Sequence, residues 1–152
     1  MTTLELKFEL QQQCKDLINF RLERIQKIIV DIETSLKEES KSTSGDKHHT
    51  GRAMLQIERE NAGNQLREIE KVLQQLNKVD VSTTSKVIRL GSLVKTNHAN
   101  FFISISVGKL EVNNIFYLGV APNAPIGLYL LGKKEREQFS FNGKVYKIEK
   151  VD

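Results

Sequence analysis

Two apolar seams, each stepping by four and three residues, flank a stretch that contains no aliphatic side chain. That stretch is residues 40–52, Ser-Lys-Ser-Thr-Ser-Gly-Asp-Lys-His-His-Thr-Gly-Arg. Before it, Ile18, Leu22, Ile25, Ile29, Ile32 and Leu36 mark one face of a helix, in a run free of Pro and Gly from about Leu4 to Glu39. After it, Leu55, Ala62, Leu66, Ile69, Leu73 and Leu76 mark a second face, running to about Lys78. Such stripes are what a helix needs to pack along another helix. A short polar connection makes the two antiparallel, so residues 1–80 read as a helical hairpin with its tip near 40–52. A shared run of about 28 residues at 1.5 Å rise gives it a length of roughly 40 Å. Leu10, Cys14 and Leu17 extend the first face toward the N-terminus, and Phe8, Phe20, Ile28 and Val30 are read as widening the core stripe. Arg59 interrupts the second seam at a core-like position.

Beyond a polar connection at residues 79–86 the period shortens from helical to strand-like. Residues 87–94 alternate around Gly91, which suggests a strand with a bend. Residues 101–107 alternate apolar side chains with serine, the pattern of a half-buried strand. Residues 115–120 form another strand. Residues 121–125, Ala-Pro-Asn-Ala-Pro, make a loop, and residues 126–131 one short helix closed by Gly132. Two strands at 138–141 and 144–149 flank Asn142-Gly143, a pair that suits a type I′ hairpin turn. The fold class is therefore α+β: the hairpin over 1–80, then an antiparallel sheet with one short helix over 81–152.

Charge divides along the same line. Residues 1–80 hold 13 Lys/Arg and 14 Asp/Glu, while residues 81–152 hold 10 and 5. The basic excess lies in the sheet part, where it steers binding without naming a partner. Cys14 is the sole cysteine, so no intramolecular disulfide forms and a reducing compartment fits. No apolar run reaches the ~20 residues of a membrane span, and the first residues lack the order of a signal peptide. We expect a cytoplasmic chain with no membrane partner.

The order of parts resembles the bacterial transcript-cleavage (Gre) factors. The likeness is carried by Ala124-Pro125-Ile126-Gly127, by Leu130-Leu131-Gly132-Lys133-Lys134 and by Gly143-Lys144-Val145-Tyr146-Lys147-Ile148. Val87, Gly91-Ser92-x-Val94, Gln65-Leu66-Arg67-Glu68-Ile69-Glu70 and Val79-Asp80 add to it. The resemblance implies an FKBP-like fold for residues 81–152. It also implies RNA polymerase as partner, with the hairpin entering the secondary channel, nascent RNA met there indirectly and DNA close by. In that family two tip acids help hold a Mg²⁺ of the polymerase active site and position the water that cuts backtracked RNA. The family tip reads Gly-Asp-Leu-Lys-Glu-Asn-Ala-Glu-Tyr, and here Gly45-Asp46-Lys47-His48-His49-Thr50-Gly51-Arg52 stands in its place. Asp46 matches the first acid. The second falls on His48 or His49.

The resemblance therefore makes Asp46 the metal-assisting residue, with His48 and His49 beside it and the Mg²⁺ shared with the polymerase. It gives Lys47, Arg52, Pro125 and Lys133 to polymerase binding. The histidine replacement matters chemically, because Mg²⁺ prefers carboxylate oxygen and imidazole suits Zn²⁺ and similar metals. Adjacent histidines also lack the i,i+3 or i,i+4 spacing of a helical ligand pair. Asp46 is equally a good helix N-cap, a role without chemistry. The chain carries no complete catalytic set and no cofactor of its own, so the expectation is a regulator that works through the polymerase active site. The alternatives are a channel modulator or inhibitor without cleavage, an FKBP-like prolyl isomerase, and a structural coiled-coil adaptor.

Overall fold

The computed structural model describes residues 1–41 and 47–152, with side chains described outside 41–50. The chain is α+β, with two long helices, a six-stranded sheet and one short helix. Helix α1 spans Thr3–Lys41 and α2 spans Lys47–Asn77. The strands are β1 Leu93–Thr96, β2 Asn100–Ile103, β3 Gly108–Val112, β4 Ile115–Val120, β5 Gln138–Phe141 and β6 Lys144–Val151, with α3 at Pro125–Leu130. Packing groups the chain into a sheet unit, Met1–Leu17 with Gln74–Asp152, and a helix-pair unit, Ile18–Leu73. The first turns of α1 and the last of α2 thus belong with the sheet, although chain order alone suggests a division at residue 80.

In the helix-pair unit, Ile25, Ile29, Ile32 and Ala62 are buried together, with Leu36, Leu55, Leu66 and Ile69 packed against them. The two expected seams do face each other. Arg59, the interruption, keeps its charge at the edge by pairing with Glu33 of the other helix at 3.1 Å. The stripe is narrower than expected. Phe20, Ile28 and Val30 lie 40–64 % exposed, and in the sheet unit Phe8 and Leu17 are exposed too. The reason is angular. Each residue turns an α-helix by about 100°, so Phe20 and Val30 sit well off the seam of Ile18, Ile25 and Ile29. Of the four seam residues Leu22, Ile29, Leu66 and Ile69, only Ile29 is buried and the others are half-buried. Ile29→Ala is therefore expected at the lower end of the usual range, about 2 kcal/mol. Urea denaturation of the full chain measures it, and a change near zero would mean the seam contributes nothing to stability.

The strand order is β3-β4-β2-β1-β6-β5. It departs from a purely antiparallel sheet at one pair, because β2 and β4 run parallel. The expected strand over 101–107 ends at Ile103, and the chain then crosses to a strand that the sequence reading omitted, β3. Asn113 and Asn114 both take positive φ, 52° and 65°, which closes β3 and β4 into a tight hairpin. That hairpin returns β4 between β3 and β2, so β4 meets β2 in the parallel sense. The strand expected over 87–94 begins only at Leu93. Gly91, at φ 91°, turns the chain there, and an added Cβ would stand 2.4 Å from the Asp80 carbonyl oxygen. On one sheet face Val94, Phe101, Ile103, Ile148 and Val151 form the core with Ile88 and with Leu130 of α3. Asn142 and Gly143, at φ 49° and 77°, make the expected turn between β5 and β6.

Candidate functional site

At the end of the helix pair, α1 runs to Lys41 and α2 starts at Lys47, so residues 40–41 and 47–52 of the expected tip are helix, and 42–46 lie outside the described residues. Lys47, His48 and His49 are helical in backbone, and their side chains lie outside the described residues. Asp46 lies outside the described residues altogether, and with it the N-cap reading. What surrounds this segment is braced. One Arg52 nitrogen, Nη1, donates to the Leu36 carbonyl oxygen at 3.1 Å and to Ser40 Oγ. An arginine of α2 is thereby tied to the last turns of α1, at a carbonyl that also accepts from Ser40 Oγ at 3.0 Å. An added Cβ on Gly51 would meet the Glu39 carboxylate at 3.5 Å, ordinary contact distance. Arg52, which the resemblance assigns to polymerase binding, thus also has a structural role.

In the sheet unit, Pro125 occupies the first turn of α3 and is exposed, a position where its missing N–H costs nothing. Lys133 follows α3 with Nζ 5.6 Å from the centre of the Phe139 ring. That ring belongs to a series. Phe139 stacks on Tyr146 at 5.2 Å and on Tyr129 at 5.9 Å, Phe141 meets Tyr129 at 5.5 Å, and His98 meets Tyr146 edge-on at 5.0 Å. Tyr129 remains 47 % exposed, so these aromatics are not all core. The series was open to derivation from the sequence. A two-residue turn at 142–143 places Phe139 opposite Tyr146 and Phe141 opposite Lys144, as observed.

Arg136 is the one residue of this stretch held against its backbone preference. Its φ is 72°, a left-handed conformation that costs a non-glycine residue roughly 1–2 kcal/mol. Its N–H donates to the Ile148 carbonyl oxygen at 2.7 Å, which fixes the turn into β5. The two neighbouring acids are turned toward the backbone. Glu137 Oε1 accepts from Lys134 N–H at 2.9 Å and Glu135 Oε1 from Val151 N–H at 3.3 Å.

A buried polar set, not foreseen from the sequence, joins α1 to the sheet. Gln11 Nε2 donates to the Leu76 carbonyl oxygen at 3.0 Å, and Ser104 Oγ donates to Gln11 Oε1 at 3.1 Å. Lys7 Nζ, on the same face of α1, donates to the Thr83 carbonyl oxygen at 2.7 Å. Burial, and then the Arg89 guanidinium, lower the Lys7 pKa, while Asp152 and Asp80 pull the other way. Lys7, Gln11 and Cys14 repeat at steps of four and three, the one sequence signal that would have placed them on a common face. Burial pushes the Cys14 thiol up to about 11 from 9.0. Two units less acidity means a thiolate population about 100-fold smaller at neutral pH, and the thiolate is the reactive form. Ellman's reagent is therefore expected to label Cys14 only as fast as the sheet unit opens. Labelling of the native chain at the rate of a free thiol would show the site to be accessible.

Among the described residues no three His, Cys, Asp or Glu side chains come together as a metal-holding group. A pocket of about 370 Å³ lies between the first turn of α1 and the sheet, lined by Leu6, Leu93 and Tyr117 among others. Its two lysines, Lys95 and Lys150, are paired with Glu149 at 3.9 Å and Asp152 at 3.5 Å. Among the described residues no helix is long and apolar enough to cross a membrane. No family model, curated protein or solved structure matches this chain.

The pieces of sequence that carried the resemblance have packing roles here. Val79-Asp80 and Gly91 meet where Gly91 approaches the Asp80 carbonyl. Ser92 is buried, and its Oγ accepts from Arg89 N–H at 2.9 Å. Gly127 sits against the Ala121 and Pro122 carbonyls. These residues build the sheet unit, and they do so whatever the unit binds.

Proposed function

We propose that this chain is a Gre-like regulator of transcription elongation. It binds RNA polymerase and presents the segment around Asp46 to the secondary channel. The observation that supports the reading most is the braced helix pair. Two helices are held along a buried seam, and Arg52 ties α2 to the end of α1 beside the polar segment. Such a frame suits delivery of a short polar segment into a narrow space. The basic excess of residues 81–152 suits an acidic partner surface. On this reading Pro125 and Lys133, both on the sheet unit, contact the polymerase together with Lys47 and Arg52. The FKBP-like likeness of the sheet unit belongs to the same proposal.

The donor chemistry of the segment limits what it can add. Asp46 offers one carboxylate, a fitting ligand for a hard cation such as Mg²⁺, whereas His48 and His49 are poor ones. Mg²⁺, when bound at the polymerase, would supply charge stabilisation for phosphodiester hydrolysis. This chain's part would be one oxygen ligand and, from a histidine, orientation of water. The replacement of the second acid by histidine favours one further reading, a channel-binding modulator without cleavage.

The deciding experiment is transcript cleavage on a backtracked elongation complex with the cognate polymerase, alongside capture of purified polymerase. Binding with cleavage supports the first reading. Binding with inhibition and no cleavage supports the modulator. Absence of binding overturns both.

A further inference from the structure

Tyr117 of β4 is only 7 % exposed, yet its hydroxyl makes no hydrogen bond to any described residue. No fully buried side-chain nitrogen or oxygen among the described residues lacks a partner, so Tyr117 Oη is reached from outside. The side chain lines the pocket of about 370 Å³ between α1 and the sheet.

Strand pairing shows what stands beside it. Phe101 pairs with Leu118 in the parallel sense, so Asn100 and Tyr117 are neighbours across β2 and β4. Asn100 also lines the pocket, and its Nδ2 donates to the Phe116 carbonyl oxygen at 3.2 Å. Its Oδ1 is left as an acceptor near the Tyr117 donor. Leu6 of α1, Leu93 of β1 and Ile115 of β4 supply apolar wall. The lysines of the lining are balanced, Lys95 by Glu149 and Lys150 by Asp152. The pocket therefore offers an ion no unpaired opposite charge.

We propose that this pocket binds a small neutral phenol, a molecule of one or two rings with a hydroxyl. A hydroxyl both accepts and donates, so one oxygen answers Tyr117 Oη and Asn100 Oδ1 together, while the ring packs on Leu6, Leu93 and the Tyr117 ring. An apolar cavity of ~150 Å³ already holds benzene, so the space suffices. A plain hydrocarbon would leave both polar groups unanswered. A carboxylate or an ammonium would give up water without gaining a free counter-charge. Burial raises the Tyr117 pKa, so the side chain remains a donor through neutral pH. The inference does not rest on the polymerase reading, because it concerns the sheet unit alone.

The test is two-dimensional amide NMR of the full chain, titrated with p-cresol and, separately, with toluene. Saturable shifts are expected around Leu6, Leu93 and Tyr117. Tyr117→Phe should weaken p-cresol about fivefold, the worth of one neutral hydrogen bond, and leave toluene unchanged. That variant loses no hydrogen bond within the protein, so it is expected to fold and melt as the unmodified chain does. 4-Methylbenzoate and 4-methylbenzylamine should bind more weakly than p-cresol. The proposal is overturned by any of four results: no saturable shift up to the solubility of p-cresol, shifts centred on other residues, equal p-cresol affinity in Tyr117→Phe, or tighter binding of either ion.

Discussion

Gly127→Ala is expected to destabilise the sheet unit by about 3 kcal/mol or more, at the upper end of what overpacking costs. Gly127 is buried in α3, and an added Cβ would lie 2.2 Å from the Ala121 carbonyl oxygen and 2.9 Å from that of Pro122. Both obstacles are backbone atoms. They cannot swing aside as a side chain would, so either α3 lifts from the sheet or the loop ahead of it moves. Lifting α3 withdraws Leu130, which is fully buried, from the core it shares with Phe101, Ile103 and Ile148. Gly132→Ala is the control, two residues past the end of the same helix. Gly132 has φ 81° but nothing within 4 Å of an added Cβ. That substitution carries only the left-handed backbone penalty, roughly 1 kcal/mol. Urea denaturation of both variants measures the difference. Equal costs would mean that the loop before α3 yields easily and that α3 is not held as closely as the geometry requires.

Where the sequence was informative, a short-range rule was decisive. The helix pair follows from the stepping of Ile25, Ile29 and Ile32 against Ala62 and Leu66, because helical period and burial are tied. The β5–β6 hairpin follows from Asn142-Gly143. The same logic was available for Asn113-Asn114, because Leu110 and Val112 before it alternate with Lys109 and Glu111 in the period of a half-buried strand, as β3 proves to be. The exposed Phe8, Phe20 and Val30 show the limit of composition. An apolar side chain near a seam is not on it unless the angle allows. Long-range contacts were the least legible. Nothing local in Gln11 indicates that it joins Leu76 and Ser104, 65 and 93 residues away. The candidate site was legible mainly as residue types. Asp46, His48 and His49 stand out because the stretch around them is wholly polar, whereas Lys133 gains its meaning only from the Phe139 ring beside it.

Under the proposed function, Asp46→Asn is expected to abolish stimulation of transcript cleavage while leaving polymerase binding nearly unchanged. The substitution keeps size and helix-capping ability, since asparagine and aspartate cap about equally well. It removes the negative charge, and an amide oxygen is a weaker ligand for Mg²⁺ than a carboxylate. Capping and metal assistance thus give opposite outcomes for one variant. If Asp46 only caps α2, Asp46→Asn is stable and fully active. If it lends its carboxylate to the reaction, the variant is stable, bound and inactive. Arg52 provides a useful contrast, because it braces α2 to α1 through the Leu36 carbonyl. Arg52→Ala should loosen the frame and lower activity with an accompanying loss of thermal stability, which Asp46→Asn should not show. Replacing His48 and His49 by Gln then asks whether an imidazole fills the role of the missing second acid. Loss of cleavage with binding intact would assign water positioning to the histidines. Wild-type cleavage by Asp46→Asn would remove the carboxylate mechanism and leave Asp46 a capping role alone, whereas polymerase binding without cleavage by the unmodified chain is the result that favours the channel modulator.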